Sequence, residues 1–569
     1  MGPNGKSTLL NTPTGQVLIT NVGCTILRCV NIEHPLGTMI INSIATHHNY
    51  TGDGSKTFVL YLTSILSSIA NYADERLSIH EFEHRNSLLY AVHYVRSQLF
   101  SNVLLPAVRR NCCVMNVCEN KNATMTVMRN LVKSHLCGKY TDAIRSYLSN
   151  LLVNFLCSRV ADFQTLSAEI SICIDNFNLL CIDIDSMLPL SSYIYEGIVI
   201  QRDFLNFYHS PVECCHARFI LLDNAFTKAG GKSELPSTFE VKDTSSLDKA
   251  FLWNSRCGTV LADWLRKNNV NLILSTSGID DMLHTLCEKA GILMVQFVDK
   301  EDCERLKMLF HITVIEFMSD LFEVESDDYI GCSEVCEAKV FGQKRFVCLK
   351  FPDQDHKYTK YNCSSSPHSP VDGLHASRKV RADGECLKRQ LVICGMSAGA
   401  CQQIRLDLLH ALKSLRLWLD SECLNSEASH CSAVHIAGGG TFELICYDAF
   451  QHFLRQNCSK LSVHVTVCCE ALCAALLAVP LRLLRNSFQP KLATVLHIKE
   501  CISSPATGAN IRGFNGCSGR QLQVDTTIIE PLMSKILVVD HVLELTEQLL
   551  RINSLLPVKK LVQNSLSKE

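Results

Sequence analysis

The order of hydrophobic patterns along the chain constrains its fold more than any single motif. Apolar residues at helical spacing dominate roughly the first 155 residues, for example over 58–70 and 87–100. Helical periodicity returns over 404–419 and 534–553, and Pro531 precedes the last pattern at a position that a helix start tolerates. Between these ends, strand and helix patterns alternate. This order predicts nested domains, in which both ends of the chain form one helical domain.

The middle of the chain has the alternation expected of an α/β layer. Short β-rich runs are separated by longer helical patterns, which favours a sheet covered by helices. In chain order these segments are strand 217–223, helix 245–268, strand 270–275, helix 279–290 and strand 292–298. Residues 340–350 (VFGQKRFVCLK) predict a strand pair of the hairpin type. Residues 353–390 are polar and contain Ser-Pro pairs, which predicts a long disordered loop.

Composition bounds the class of protein. A chain of 569 residues predicts about three to four domains. Its 54 basic and 56 acidic residues give a net charge of -2, so neither nucleic acid nor an anionic membrane is indicated as a partner. We expect no membrane insertion, because the apolar stretch 58–70 is too short to span and 474–484 is interrupted by Pro480 and Arg482.

Cysteine is abundant, with 30 residues in the chain. The N-terminus lacks the apolar segment of a secretory signal, and no Cys-x-x-Cys spacing occurs. A disulfide framework and a zinc-binding cysteine set are therefore both disfavoured. We expect reduced thiols that pack as small apolar side chains in a cytosolic protein.

The first residues imitate a P-loop without meeting its requirements. In residues 2–8 (GPNGKST) two residues separate the first glycine from the Gly-Lys pair, whereas a P-loop needs four and a preceding strand. A glycine turn that offers backbone N–H groups to a phosphate stays open as an interpretation.

A second motif has the spacing of a zinc peptidase. His80, Glu81 and His84 fit the pattern His-Glu-x-x-His, which on a helix places two imidazoles on one face and a glutamate where it can activate water. The charged neighbour Glu83 is more typical of a solvated helix, and no third ligand is evident downstream. The peptidase is therefore a distant alternative.

Two glycine clusters each lead into a helical pattern. In residues 51–57 (TGDGSKT) the glycines let the backbone approach a ligand, and the helix N-terminus favours phosphate. Asp53 in this cluster could hold the Mg²⁺ that accompanies a nucleotide. Residues 437–443 (AGGGTFE) form the second cluster. Each cluster alone is equally typical of an ordinary turn or linker.

Taken together and in order, these motifs resemble the group II chaperonins of the CCT/TRiC type, over nearly the whole chain. The segments that carry the resemblance are 2–5 (GPNG), 19–27 (ITNVGCTIL), 33–35 (EHP), 52–54 (GDG), 277–281 (SGIDD), 289–293 (KAGIL), 438–440 (GGG), 513–516 (GFNG) and 530–532 (EPL). Within that family, residues 13–18 (PTGQVL), 33–36 (EHPL) and 51–58 (TGDGSKTF) resemble the chaperonin-like Bardet–Biedl syndrome proteins.

The resemblance implies an α+β/α multi-domain chaperonin fold, with helical equatorial, small mixed intermediate and α/β apical domains nested in sequence. The implied divisions are equatorial 1–155 and 398–569, intermediate 156–201 and 333–397, and apical 202–332. The family has a strand and a helix before its GPNG segment, where this sequence has Met1. Either a truncated gene model or a form lacking that equatorial piece is expected, and a stable double ring of this chain alone is not.

The resemblance also implies an equatorial site for ATP or ADP with Mg²⁺. The implied nucleotide-binding residues are Gly2, Pro3, Asn4, Gly5, Gly52, Asp53, Gly54, Ser55, Lys56, Thr57, Gly438, Gly439, Gly440, Asn486 and Glu530. Asp53 would hold the metal through the nucleotide, Asn486 matches the base pocket and Glu530 matches the ribose contact. Lys56 replaces a threonine of the family and could itself pair with phosphate. Phe488 stands where a glycine is usual and could crowd the adenine.

The sequence departs from the family at both hydrolytic aspartates. Val22 occupies the first position, and His410 occupies the second if the stretch 410–412 (HAL) matches the family's Asp-Ala-Leu. Asp407 lies three residues before His410, so a different register would restore one acid. General-base help is worth about 10²–10⁴-fold in rate. We therefore expect the site to bind nucleotide without turning it over, so the chain carries no catalytic residue.

The resemblance finally implies a role and partners. We expect a chaperonin-like scaffold that assists assembly of the BBSome, a coat complex of cilia, together with other chaperonin-like Bardet–Biedl proteins and CCT subunits. BBSome subunits would be its clients, and it would act in the cytoplasm near the centrosome, basal body and cilium. The main alternative is an ATP-hydrolysing subunit of a protein-folding chaperonin.

Overall fold

The computed structural model describes residues 2–11, 17–76, 81–160, 163–205, 213–223, 244–279, 281–316, 326–351, 388–420, 432–457, 459–487, 513–522 and 527–554. The chain divides into two compact units. The helical unit combines both chain ends, as Met1–Val153, Asp162–Ser167 and Asp407–Glu569. The sheet unit consists of Asn154–Ala161 and Ala168–Leu406. The finer division into equatorial, intermediate and apical segments stays a prediction.

The described elements are mostly helical at both ends of the chain, and strands alternate with helices over 213–295, as the sequence patterns predict. The helices are α1 (Gly23–Cys29), α2 (Pro35–Thr51), α3 (Ser55–Arg76), α4 (Glu81–Tyr94), α5 (Leu105–Arg109), α6 (Lys121–His135), α7 (Asp142–Cys157), α8 (Leu166–Asp175), α9 (Phe177–Leu180), α10 (Thr244–Lys267), α11 (Asp281–Lys289), α12 (Lys300–Phe310), α13 (Ala398–Leu419), α14 (Thr441–Asn457), α15 (Val463–Asn486) and α16 (Leu532–Arg551). The strands are β1 (Thr8–Asn11), β2 (Val17–Thr20), β3 (Cys113–Asn116), β4 (Cys181–Ile184), β5 (Tyr193–Glu196), β6 (Ile198–Ile200), β7 (Glu213–Leu222), β8 (Leu272–Ser275), β9 (Leu293–Val295), β10 (Gly331–Phe341), β11 (Lys344–Lys350), β12 (Arg389–Cys394), β13 (Ser432–Ala437) and β14 (Ile529–Pro531).

The core of the helical unit forms around α3, which packs along α15 and α16. Five residues of α3 with the spacing of one helix face are buried, namely Phe58, Tyr61, Leu62, Ile65 and Ile69. Burial of each such side chain stabilises the fold by roughly 1.5–3 kcal/mol. The apolar stripe in the sequence thus sets which face of α3 turns inward.

A π-helix interrupts the segment that the sequence pattern predicts as one α-helix over 87–100. Helix α4 ends at Tyr94, and Val95–Leu104 continues as a π-helix into α5. Pro106 in α5 has no amide hydrogen, so the carbonyl of Asn102 receives no bond from it. A wider turn before a proline is a known response of helices to such a loss.

Two small sheets complete the helical unit. Strands β1 and β2 form an antiparallel pair, and β13 lies between β14 and β3. The register of β13 against β14 places Ile436 opposite Glu530 and Ala437 opposite Ile529. The triple glycine that follows Ala437 is therefore held beside Glu530.

The sheet unit contains a six-stranded sheet with the order β6-β11-β10-β7-β8-β9. Strands β7, β8 and β9 are parallel, and the chain passes through α10 and α11 between them. Strands β10 and β11 form the hairpin that the sequence predicts over 340–350, with β10 extending back to Gly331. The predicted α/β layer is thus confirmed.

A second sheet of this unit has the order β4-β12-β5. Strand β12 begins at Arg389, so the end of the predicted loop 353–390 is wrong by at least two residues. The apolar run 391–394 (LVIC) is buried in this sheet, which draws the preceding residues into the strand. The part of the predicted loop over 353–387 lies outside the described residues.

Helix α15 is the one described helix that is long and apolar enough to cross a membrane by length and composition. Its residues contribute to the core cluster that includes α3, α14 and α16. Core helices of globular proteins pass the same test, so this finding is weak evidence for a membrane span. The described cysteines are all free thiols, as the sequence predicts for that part of the chain.

Candidate nucleotide site

The first glycine loop, residues 2–5, is attached to the end of α15. Gly2 has a φ of +72°, and the Gly5 amide donates to the Gly2 carbonyl oxygen at 3.0 Å, which closes a tight turn. The Asn4 side-chain amide donates to the Asn486 carbonyl oxygen at 3.1 Å. Pro3 lies in this turn, against Gly516. The structure therefore brings the predicted loop and the predicted base-pocket residue Asn486 together.

The second cluster, residues 52–57, forms the junction between α2 and α3. Gly52 ends α2 with a φ of +75°, and a Cβ on it would lie 2.5 Å from the His410 carbonyl oxygen. Asp53 and Gly54 follow, and Ser55 and Thr57 lie in the first turn of α3. The 22-residue helix α3 thus directs its N-terminal N–H groups at the position of Asp53.

The third cluster, residues 438–440, forms the turn between β13 and α14. Gly439 and Gly440 have φ values of +66° and +85°, and a Cβ on Gly439 would collide with the carbonyl oxygen of Phe514. The Thr441 hydroxyl donates to the Gly438 carbonyl oxygen at 2.6 Å, where α14 begins. Only glycine satisfies both the backbone conformation and the close approach at Gly439.

Glu530 is held by a partly buried ion pair with Lys535. Its carboxylate lies 2.7 Å from the Lys535 Nζ, which also lies 3.1 Å from the carboxylate of the fully buried Glu443. The Tyr61 hydroxyl donates to Glu443 at 3.2 Å. Burial works against the charge of Lys535, but the two carboxylates outweigh it and hold the pKa of Lys535 above its ordinary value. Glu530 is therefore held in one position, beside Gly438.

Asp53 is a solvent-exposed carboxylate in a cationic environment. Crowding by protein atoms works to raise its pKa, but His135, Lys139 and the Gly54 amide hydrogen outweigh this effect and hold the pKa below its usual range. The ionised form is favoured as a result. Asp53 can accept a metal ion or a hydrogen-bond donor at neutral pH.

Lys139 and Tyr140 belong to the site although the sequence analysis missed both. The Lys139 Nζ donates to the Asp407 carboxylate at 2.8 Å, and the Tyr140 hydroxyl donates to the other carboxylate oxygen at 2.7 Å. The Asp407 side chain is 1% exposed. A single lysine after Gly138, beyond the end of α6, forms no recognised motif, so only the fold reveals this contact.

His410 faces the Gly52–Gly54 turn. Its ring lies 4.6 Å from the ring of His48 in an edge-to-face contact. Burial lowers the pKa of His410 to about 2 and that of His48 to about 4, so both rings are neutral at pH 7. The assignment of His410 to the second hydrolytic position stays a prediction. Asp407, the acid that a different register would place there, accepts bonds from Lys139 and Tyr140.

Val22 lies at the start of α1, next to the start of α3. It is 8% exposed and packs in a small apolar cluster with Cys24 and Ala45. A Cβ on the adjacent Gly23 would lie 3.0 Å from both Ser55 Oγ and Lys56 Cγ. Val22 is therefore close to the second glycine cluster, and its side chain offers no group that could orient water.

The described part of the helical unit thus assembles all three glycine clusters, with Asn486 and Glu530, around one region. The arrangement provides turns without Cβ atoms, the N-terminus of a long helix and one exposed carboxylate, and this donor set fits a nucleotide phosphate chain. Asp53 is suited to Mg²⁺, since this ion often takes one or two carboxylates plus phosphate oxygens and water. Phe488 and the zinc-type residue His80 lie outside the described residues, as do the side chains of Glu81 and His84.

Comparisons with known proteins identify several proteins that are similar to this chain. The Thermosome subunit alpha of Archaeoglobus fulgidus is 22% identical over 561 residues, 99% of this chain and 89% of that protein. The Thermosome subunit alpha of Thermoplasma acidophilum is 23% identical over 351 residues, 61% of this chain and 58% of its own length. The human BBSome complex assembly protein BBS10 is 20% identical over 439 residues, 73% of this chain and 54% of its own length.

The predicted resemblance to chaperonin-like Bardet–Biedl syndrome proteins is therefore confirmed, and the matched members are BBS10 proteins. The alignments span little more than half the length of the Thermoplasma and human relatives. A crystal structure of a group III chaperonin in the open state covers 98% of this chain with a TM-score of 0.64 at 15% identity, which confirms the predicted fold class. A sequence model of the TCP-1/cpn60 chaperonin family matches residues 1–560. The chain belongs to the TCP-1/cpn60 chaperonin family.

Proposed function

We propose that this chain is a chaperonin-like assembly scaffold that binds a nucleotide without hydrolysing it. One observation carries the second part of the proposal, namely that no acid stands free at either hydrolytic position. Val22 is apolar, His410 is a neutral imidazole, and the carboxylate of Asp407 is bound by Lys139 and Tyr140. Without a general base the barrier to attack by water rises by several kcal/mol.

The nucleotide would be held by the three glycine clusters. We assign the phosphates to the turn at 52–57 and the N-terminus of α3. The backbone of residues 2–5 and 438–440 would form the walls of the nucleotide site. Glu530, positioned by Lys535, would accept hydrogen bonds from the ribose hydroxyls, and Asn486 would contact the base. Mg²⁺, when bound, would neutralise phosphate charge beside Asp53.

The assembly role rests on likeness to BBS10, whose name describes it as a BBSome complex assembly protein. By this likeness the chain would act with other chaperonin-like Bardet–Biedl proteins and CCT subunits, and BBSome subunits would be its clients. Its place of action would be the cytoplasm near the centrosome, basal body and cilium. Client contact is assigned to the apical segment, 202–332, and the nucleotide to the equatorial segments, 1–155 and 398–569.

Hydrolysis of Mg-ATP by the purified chain tests the nucleotide part. We expect no phosphate release above that of an Asp53→Ala variant, which lacks the exposed carboxylate. The double variant Val22→Asp with His410→Asp returns an acid to both positions and serves as the matched control for the assay. Turnover by the unmodified chain that disappears in Asp53→Ala would instead support the alternative, an ATP-hydrolysing folding subunit.

Co-purification tests the assembly part. The tagged chain, expressed in ciliated cells, is expected to co-elute with CCT subunits and with BBSome subunits. Absence of both sets from the eluate, with the chain itself soluble and folded, would remove the assembly role and leave the family membership intact.

A further inference from the structure

Two lysines, Lys56 and Lys139, lie near Asp53 at the end of the site where the phosphates of a nucleotide would bind. Lys56 is the second residue of α3 and is partly exposed. The charges of Asp53 and Lys139 both act on it, so the three groups lie within electrostatic range of one another. No described side chain hydrogen-bonds to the Lys56 ammonium group, which leaves its donors available for a ligand.

Lys139 adds a second ammonium group at this point. Two of its donors are directed at the Asp407 carboxylate, at 2.8 Å, and at the His135 Nε2, at 3.4 Å. An ammonium group has three donors, so one remains. The side chain is 15% exposed, and this exposure allows a bound anion to reach the remaining donor.

The carboxylates available to a metal ion are few. Asp53 is exposed, whereas Asp407 is buried and already accepts bonds from Lys139 and Tyr140. The two positions where the resemblance places aspartates hold Val22 and His410 instead. Within the described region, a divalent cation would therefore find one exposed carboxylate, that of Asp53, among several positive charges.

A buried imidazole also points to a ligand at this end. His48 is 5% exposed, and neither of its ring nitrogens has a hydrogen-bond partner among the described residues. The charges of Asp53, Lys139 and Lys413 act on it. Lys413 itself donates to the Asn49 carbonyl oxygen at 2.7 Å. Buried polar groups are normally hydrogen-bonded, and a neutral imidazole can donate one N–H to an anionic oxygen.

From this geometry we propose that the site binds nucleoside di- and triphosphates as free anions, independently of Mg²⁺. Lys56 and Lys139 supply the neutralising charge that a metal ion supplies in a carboxylate-lined site. The inference rests on the proposed nucleotide binding but goes beyond it, because it concerns how the phosphate charge is balanced.

Calorimetric titration of the full chain with ADP and with ATP tests the inference, in excess EDTA and in excess MgCl₂. The two dissociation constants are expected to agree within about threefold. A loss of affinity of about tenfold or more in EDTA would overturn the inference and leave the proposed function intact. No binding in either buffer would overturn both the inference and the nucleotide part of the proposed function.

Variants assign the effect to the named groups. Lys56→Met is expected to weaken binding by about tenfold in EDTA and by less in MgCl₂, since the metal ion then replaces the lost charge. Lys460→Met removes an exposed lysine of the same unit and is the matched control. Equal affinity of Lys56→Met and Lys460→Met in EDTA would exclude Lys56 from the role.

Lys139 needs a compensated variant, because its removal alone leaves the buried Asp407 without its cation. Lys139→Met combined with Asp407→Asn removes both charges and avoids this effect. We expect this double variant to need Mg²⁺ for full affinity. The variant His410→Asp adds a carboxylate to the same place and is also expected to bind about tenfold more weakly in EDTA than in MgCl₂. Unchanged binding of both in EDTA would overturn the proposal.

Discussion

Replacement of His48 by leucine should remove a defined part of the acid sensitivity of the helical unit. Burial lowers the pKa of the His48 imidazole from 6.5 to about 4. The folded state therefore excludes a proton that the unfolded chain binds below pH 6.5. The contribution of neutral His48 to the free energy of unfolding is fully present above pH 6.5. It is lost as the pH falls from 6.5 towards 4, because the unfolded state binds more protons in this window.

The magnitude follows from the distance between the test pH and the unfolded pKa. The test pH of 5 lies 1.5 units below the ordinary histidine pKa of 6.5. At 1.36 kcal/mol per unit, proton binding then stabilises the unfolded state by about 2 kcal/mol. In the folded state the pKa of His48 is about 4, so the imidazole is mostly unprotonated at pH 5 and proton binding stabilises the folded state very little. Wild-type protein should thus lose about 2 kcal/mol more than His48→Leu between pH 7 and pH 5.

Urea unfolding at the two pH values, followed by tryptophan fluorescence, measures the difference. Trp418 is fully buried on α13 in the helical unit, so its emission responds when this unit unfolds. His452→Gln changes an exposed histidine of the same unit and is the matched control. At pH 7 the His48→Leu variant should be at least as stable as wild type, since leucine removes two unpartnered buried nitrogens. An equal loss in wild type and His48→Leu would refute the reasoning.

Two further changes test packing around the site. Lys535→Met should destabilise the fold by about 3–5 kcal/mol, because it leaves the buried Glu443 without its cation, and thermal melting with and without the compensating Glu443→Gln measures this. Gly439→Ala should cost more than about 1 kcal/mol, because its φ of +66° is combined with a collision against Phe514. Gly291→Ala has a similar φ of +71° with no atom within 4 Å, so an equal cost for both glycines would exclude the collision as the cause.

Helix α3 shows how far local patterning reaches. The apolar stripe over 58–70 marks the part of the helix that packs inward, and the structure extends it to Ser55–Arg76. The extension is polar at both ends, so no hydrophobic period signals it. Helix capping and contacts from elsewhere in the fold decide where such a helix begins and ends.

The π-helix at Val95–Leu104 shows where local patterning fails. Its residues have the same apolar spacing as an α-helix over two turns, and the period alone predicts one continuous α-helix over 87–100. Pro106, two residues after the π-helix ends, removes a hydrogen bond from the turn that precedes it. The choice between the two helix types depends on tertiary packing as well as on composition.

Some residues of the candidate site could be predicted from the sequence, and others are revealed only by the tertiary structure. The glycine motifs and their resemblance to the family predicted the glycine turns, Asp53 and the substitutions at Val22 and His410, because each motif is a short run of neighbouring residues. Only the tertiary structure showed that Lys139 binds Asp407 and that Lys535 binds Glu443, since 268 residues separate the first pair and 92 the second. Ion pairs over such distances leave no periodic signal in the chain, and the fold alone brings the partners within reach.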